Sequence, residues 1–424
     1  MNITIFPSKI NGTVTAVDSK SDAHRALICA ALSEGLTKIA LRSSNADMDA
    51  TAECLTALGA RVERTKDGFE VRGKATGGGT LNCGESGSTL RFLLPIAAVL
   101  GKETSFVGSG KLPLRPVLEL TEELRNHGAN VTSDFLPITV SKAAHGGIYE
   151  IAGNVSSQFI SGLLMALPLA EKTETECEIR LTSKLESSLY ADMTLNTLSQ
   201  FGVRWKKLEE SENVGFFGGY RLENGSYTTK GAYTVEGDWS GAAFFFVLGA
   251  LGGDILLKGL REDSLQPDKA IMEIVTSAGG RITRSEDGIR VQKGDIKPFD
   301  IDVSQFPDLF PVLAVLACGA KGKSVLRNAG RLRIKESDRI KSTASLINSL
   351  GGRAVEGEDH LEIYGTGELI GGKADGAGDH RIVMSAAVAS VICHNPVEIA
   401  GVEAVAKSYP SFFEVFENLG GKCR

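Results

Sequence analysis

The chain has 424 residues, 42% of them hydrophobic and 23% charged, and carries a formal net charge of −6. This length predicts two domains, and an acidic chain with only 6% aromatic residues argues against a general nucleic-acid binder. Seven scattered cysteines without ligand spacing predict buried thiols in a reducing compartment and no metal site.

The N-terminal "MNITIFPSKINGT" has no leader pattern, but it holds two strand-like stretches, "NITIFP" and "GTVTAV". "DSKSDAHRAL" (18–27) then opens an apolar helix and crowds Lys20, Ser21, Asp22, His24 and Arg25 into its first turns. Further along, one pattern recurs: "CLTALGARVER" (54–64), "ELRNHGANVTS" (123–133), "TLSQFGVRWKK" (197–207), "IVTSAGGRITR" (274–284), "LINSLGGRAVE" (346–356) and "VFENLGGKCR" (415–424). Each reads as a helix end, a glycine just past it and a strand. The six glycines, Gly59, Gly128, Gly202, Gly279, Gly351 and Gly420, stand 69, 74, 77, 72 and 69 residues apart, which predicts six structural repeats.

A second helix recurs once per repeat, beginning near Ser21, Ser88, Ser156, Ser240, Asp308 and Arg381. These helices are apolar almost all round and belong inside a core, whereas those ending in the glycine signal are amphipathic and belong outside. The stretch 241–253 is one of the apolar helices and is too short to span a membrane. Each repeat thus holds a buried helix, a strand, an outer helix and two strands. The last repeat stops at "LGGKCR", so both N-terminal strands are expected to complete it. Three repeats per domain give one domain over 19–235 and a second built from 1–18 and 236–424.

Polar and charged residues gather where the buried helices begin: Lys20-Ser21, "GESGSTLR" (84–91), Ser156-Ser157-Gln158, "GDWSG" (237–241), Asp308 and "GDHR" (378–381). Unpaired N–H groups and the helix dipole make such ends attractive to anions. Ordinary capping explains each Ser or Asp alone, but not the added Lys20, Arg25, Arg91 and Arg381. Arg115, Lys407 and the run "RLRIKESDRI" (331–340) add loop cations, so a small ligand with several negative charges is expected.

"SKSDAHRA", "GESGSTLRF", "LRPVLELTEEL", "NVSSQFISGLLMALPL", "VSQFPDLFPVLAVLA", "LRNAGRLRIKESDR", "GDHRIVMSAAV" and "AVAKSYPSFF" resemble, in order, the signatures of the enolpyruvylshikimate phosphate synthase family. The resemblance implies an inside-out α/β barrel fold of two domains, with three βαβαββ units in each and the active site in a cleft. It implies transfer of the enolpyruvyl group of phosphoenolpyruvate to the 5-hydroxyl of shikimate 3-phosphate by addition and elimination, without metal or cofactor. A cytoplasmic monomer is expected, and the family inhibitor glyphosate occupies the phosphoenolpyruvate region in relatives. By the same resemblance, Asp308 takes the hydroxyl proton, Glu336 protonates the methylene carbon, and Lys20 joins them as a catalytic group. Shikimate 3-phosphate falls to Lys20, Ser21, Arg25, Ser156, Ser157, Gln158, Ser187, Tyr190, Asp308 and Lys335. Phosphoenolpyruvate falls to Lys20, Gly87, Arg115, Gln158, Arg339, Arg381 and Lys407.

Three positions depart from the family pattern. Glu85 replaces an Asn in the "GESG" turn, Arg331 replaces an Asn before the Lys335-Glu336 pair, and Ser188-Leu189 precede Tyr190 where Lys-Pro is usual. Two other readings stay open. One is the related transferase acting on a UDP-amino sugar, although "GSGKLPLRP" lacks that enzyme's loop cysteine. The other is a noncatalytic binder of phosphate ligands.

Overall fold

The computed structural model describes residues 1–171, 176–211 and 216–424. It divides into two units, Lys20–Val235 and the discontinuous pair Met1–Ser19 with Glu236–Arg424. Its α-helices are α1 (Lys20–Leu32), α2 (Ala46–Ala57), α3 (Gly87–Leu100), α4 (Leu118–Asn126), α5 (Ser157–Ala166), α6 (Ser188–Gln200), α7 (Trp239–Gly252), α8 (Ile271–Ser277), α9 (Phe310–Cys318), α10 (Arg339–Ser349), α11 (His380–Ala389) and α12 (Phe412–Asn418).

The odd-numbered helices are the apolar ones, and each is buried on almost every side. Phe244, Phe245 and Phe246 of α7 are consecutive yet wholly inaccessible, as are Phe310 and Val312 through Ala317 of α9. A helix with apolar residues all round is stable only when enclosed, and each such side chain contributes about 1.5–3 kcal/mol. The even-numbered helices bury one face only; α4 buries Leu120, Thr121, Glu123 and Leu124. Each unit has its own hydrophobic core, one built around α1, α3 and α5, the other around α7, α9 and α11. Of the seven cysteines, Cys29, Cys54, Cys83, Cys318 and Cys393 are buried, while Cys177 and Cys423 are partly accessible.

Among the described residues, six four-stranded sheets share one order. In the second, Gly79–Asn82 runs parallel to Thr104–Val107, which pairs antiparallel with Ile138–Ser141, which pairs antiparallel with Asn130–Val131. The expectation for the N-terminal strands needs correction. Asn2–Phe6 does complete the sixth sheet, pairing with Val397–Ala400 and Lys422–Cys423. Ile10–Thr15 instead enters the fourth sheet, parallel to Gly253–Lys258. The reason is topological. Every sheet needs a parallel partner for the strand that follows its buried helix, and the fourth repeat has no local candidate because the chain re-enters that unit at Glu236. The first repeat has the same deficit, and Ala232–Thr234 supplies the missing strand beside Gly35–Ala40.

All six repeat glycines have positive φ, from 81° at Gly351 to 104° at Gly279. They turn the chain out of each outer helix, a conformation that costs a side chain about 1–2 kcal/mol. At Gly128 a Cβ would meet nothing closer than His145 Cδ2 at 3.4 Å, whereas at Gly279 it would lie 2.3 Å from the Asp295 carbonyl oxygen. Gly128→Ala should therefore cost only the backbone strain, about 1–2 kcal/mol. Gly279→Ala should cost clearly more. Urea unfolding of both variants checks this, and equal losses would remove the steric contribution.

Candidate active site

In the unit containing Glu236–Arg424, α10 begins with Arg339, a guanidinium only 1% exposed. Asp338 caps this helix by accepting a hydrogen bond from the Lys341 amide at 3.1 Å, which fixes Arg339 at the first helical position. Its three nitrogens bind three carboxylates. Nη1 donates to Asp308 at 2.7 Å, Nη2 to Glu336 at 2.8 Å, and Nε to Asp379 at 2.9 Å. Arg381, in the first turn of α11, donates to the second oxygen of Asp308 and to Ser240 Oγ, both at 2.9 Å. Lys407 Nζ lies 3.6 Å from Glu336 Oε1. Asp308, Glu336, Arg339, Arg381 and Lys407, which the sequence scatters over a hundred residues, thus form one ionic network.

The charges in this network are strongly coupled. Burial alone would raise Asp308, but Arg381 and Arg339, helped by Lys335, outweigh it and hold that carboxyl well below its ordinary range. Asp379 is likewise held low, with Arg339 overcoming the effect of burial. Arg339 is pushed above its usual value despite its burial, because Asp379, Glu336 and Asp308 surround it.

In the unit Lys20–Val235, Lys20 opens α1 and its Nζ donates to Asp47 in the first turn of α2 at 2.8 Å. Arg25 is buried, and its donors reach protein acceptors: Thr194 Oγ1 at 2.8 Å, the Tyr190 carbonyl at 2.9 Å and the Ser21 carbonyl at 2.6 Å. It ties α1 to α6 and holds Tyr190. Ser187 precedes α6 in a left-handed conformation, φ 54°, and is buried. Ser156 caps α5 through the Gln158 amide, and Gln158 Nε2 donates to Ser88 Oγ at 2.9 Å. The starts of α1, α2 and α3 are joined by a buried chain. His24 Nδ1 lies 2.7 Å from Thr51 Oγ1, which lies 2.6 Å from Thr89 Oγ1, and Thr89 donates to the helix cap Ser86 at 2.7 Å. Burial, with Lys20 and Arg25 nearby, pushes His24 well down, so it enters this chain neutral.

Two guanidinium groups converge on Gly87 at the start of α3. A Cβ there would lie 2.7 Å from Arg91 Nη1 and 2.9 Å from Arg115 Nη1. Among the described residues Arg115 Nε is buried without a hydrogen-bond acceptor. Like charges brought together at a helix N-terminus favour a nearby anion.

The model of the family described as EPSP synthase (3-phosphoshikimate 1-carboxyvinyltransferase) matches residues 6–416. The chain belongs to that family. A 3-phosphoshikimate 1-carboxyvinyltransferase of Clostridium kluyveri is 41% identical, over 99% of this chain and 97% of the relative. The solved EPSP synthase of Acinetobacter baumannii superposes with a TM-score of 0.80 at 25% identity, covering 100% of this chain and 99% of that one. The enolpyruvyl transferase NikO of Streptomyces tendae shares the fold, with a TM-score of 0.76 at 14% identity, covering 100% and 98% of the two chains. The family match selects the first of the three readings that the sequence left open.

Two of the departures from the family pattern have local explanations. Glu85 is exposed, and its carboxyl group lies against Gly110, where a Cβ would come within 2.4 Å of it. Arg331 donates to the Ser304 carbonyl. The sequence reading missed Asp379 and Asp47 as partners of site cations. Asp379 also caps α11, through the Arg381 amide at 2.9 Å, and its place in "GDHR" looks like nothing more than a cap.

Arg339→Met should cost about 3–5 kcal/mol at pH 7, the usual penalty for leaving buried charges unpartnered. Asp308 and Asp379 have folded pKa values below the unfolded value of 3.8, so their contribution is complete above that value and lost as pH falls below it. The gap between wild type and Arg339→Met should therefore narrow as pH falls below about 4 in denaturant titrations. Parallel stability curves would contradict the network's charge assignment.

Proposed function

We propose that this chain transfers the enolpyruvyl group of phosphoenolpyruvate to the 5-hydroxyl of shikimate 3-phosphate and releases phosphate, acting as a cytoplasmic monomer. Asp308 takes the hydroxyl proton as the 5-oxygen bonds to C2 of phosphoenolpyruvate. Glu336 gives a proton to C3, so the methylene becomes a methyl group. A methyl proton then returns to Glu336 as the C2–O bond to phosphate breaks, the enol double bond is restored, and the hydroxyl proton leaves Asp308 with the departing phosphate. The observation that carries this reading is the shared grip of Arg339 on Asp308 and Glu336, which fixes two carboxylates with distinct proton tasks beside one cation.

Shikimate 3-phosphate is assigned to Lys20, Ser21, Arg25, Ser156, Ser157, Gln158, Ser187, Tyr190, Asp308 and Lys335. Within this set, Arg25 holds Tyr190 as well as carrying charge. Phosphoenolpyruvate is assigned to Lys20, Gly87, Arg115, Gln158, Arg339, Arg381 and Lys407. Its anionic groups compete with Asp308 and Glu336 for the guanidinium donors. Neutralising Arg339 and Arg381 in this way leaves burial as the dominant influence on Asp308, which raises its proton affinity when a base is required.

The decisive assay is phosphate release from phosphoenolpyruvate, which should occur only when shikimate 3-phosphate is present. Release without it, or none with it, refutes the reading. Asp308→Asn and Glu336→Gln should each lower turnover at least ~100-fold while leaving shikimate 3-phosphate affinity within about tenfold. Near-normal turnover in either variant would remove that residue from its role.

Gly87→Ala places its methyl against the ends of Arg91 and Arg115 rather than against backbone. Flexible side chains can yield, so the melting temperature should change little. The KM for phosphoenolpyruvate should rise about 3- to 10-fold as Arg115 moves, the effect of losing roughly one good hydrogen bond. Glyphosate inhibition should weaken further, because the bulkier inhibitor meets the added methyl and the same displaced guanidinium groups. Unchanged constants for both ligands would show that Arg115 does not serve this site.

A further inference from the structure

Asp268 lies outside every motif discussed above, in the segment "SLQPDKA" (264–270) that leads into α8. It is 2% exposed, in a turn spanning Pro267–Ala270. Gln266 fastens this segment to the start of α7: its side-chain oxygen accepts from the Trp239 amide at 3.0 Å and its side-chain nitrogen donates to the Gly237 carbonyl at 2.8 Å. The clamp delivers Asp268 Oδ2 to the hydroxyl of Ser240, which donates to it. The same hydroxyl oxygen accepts from Arg381 Nη2 at 2.9 Å, and Arg381 Nη2 also reaches Asp308 Oδ2 at 2.9 Å. A continuous, partly buried path therefore runs from Asp268 through Ser240 to Arg381 and Asp308. Among the described residues, the other Asp268 oxygen is buried without a hydrogen-bond partner.

We infer that Asp268 is a positioning residue for the reaction, orienting Arg381 through Ser240 and setting the charge that Arg381 offers to phosphoenolpyruvate. The inference rests on the functional reading above. The groups facing Asp268 are Ser240 and Asp238 at the start of α7, Arg381 on α11, and Asp308 in the turn before α9. Burial, reinforced by Asp308 and Asp238, pushes the Asp268 carboxyl up to about 7, against the opposing pull of Arg381 and the Ser240 hydrogen bond. At pH 6 it is mostly neutral and leaves the positive charge of Arg381 to the substrate. At pH 8.5 it is ionised and competes with the substrate for that charge. Asp268→Asn keeps a polar side chain of the same shape but cannot ionise.

The test is the KM for phosphoenolpyruvate at pH 6 and pH 8.5 in wild type, Asp268→Asn and Ser240→Ala. Titration of the substrates themselves is common to all three proteins and cancels in ratios. The ratio of wild-type to Asp268→Asn KM should rise about threefold or more between the two pH values, with the change in KM rather than kcat, as expected for a nearby buried charge. Ser240→Ala should raise KM severalfold at both pH values, because Arg381 loses its support. A purely structural role would move stability without moving the pH dependence of the ratio. A constant ratio, or an unchanged KM in Ser240→Ala, overturns the inference. If wild type releases no phosphate with shikimate 3-phosphate, the functional reading fails. Calorimetric titration with phosphoenolpyruvate then reads the same ratio as an affinity, and a constant value there overturns the inference independently.

Discussion

Arg339 is the constraint on which the rest of this site depends. One guanidinium, almost wholly withdrawn from water, binds Asp308, Glu336 and Asp379 with three separate nitrogens. A lysine could not do this, because a single ammonium lacks the planar fork that fixes three acceptors in defined directions. Withdrawing three carboxylates and a guanidinium from water is costly, and the cost is met only when every partner is held. The cap formed by Asp338, the position of Arg339 at the first turn of α10, and the second cation, Arg381, all serve that condition.

The same arrangement creates a conflict that the chemistry can use. Carboxylates pinned by arginines are weak bases, and Asp308 is pinned by two. A substrate rich in negative charge offers those arginines an alternative partner. On the proposed reading, binding would do two things at once: hold the substrate and free a part-buried carboxylate whose surroundings favour the protonated form. On that reading the interactions that bind substrate would also tune the base, which is why affinity and turnover need to be measured separately in variants of this network.

Much of the fold can be read from the chain because its repeats declare themselves. The glycines at 59, 128, 202, 279, 351 and 420 all take the left-handed conformation that their position after an amphipathic helix demands. The apolar helices are enclosed, as their lack of a polar face requires. What periodicity could not supply was long-range strand exchange. Nothing local in "INGTVT" distinguishes the fourth sheet from the sixth, and only the missing parallel partner beside Gly253–Lys258 decides it. At the site, the crowding of charge at the buried-helix starts and in nearby loops pointed to the cations, and the family resemblance pointed to Asp308 and Glu336. Their buried counter-ions were hidden, since Asp379 reads as a helix cap, Asp47 as an ordinary first-turn acid and Asp268 as part of a loop.

The central claim is that ligand anions release Asp308 from its arginines and raise its proton affinity. Calorimetry at pH 5.5 in buffers of different ionisation enthalpy measures the protons taken up when shikimate 3-phosphate and glyphosate bind together. The account predicts greater uptake by wild type than by Asp308→Asn, because only wild type has that carboxyl to protonate once burial outweighs the occupied arginines. Equal uptake by the two proteins, with both ligands bound, would contradict it.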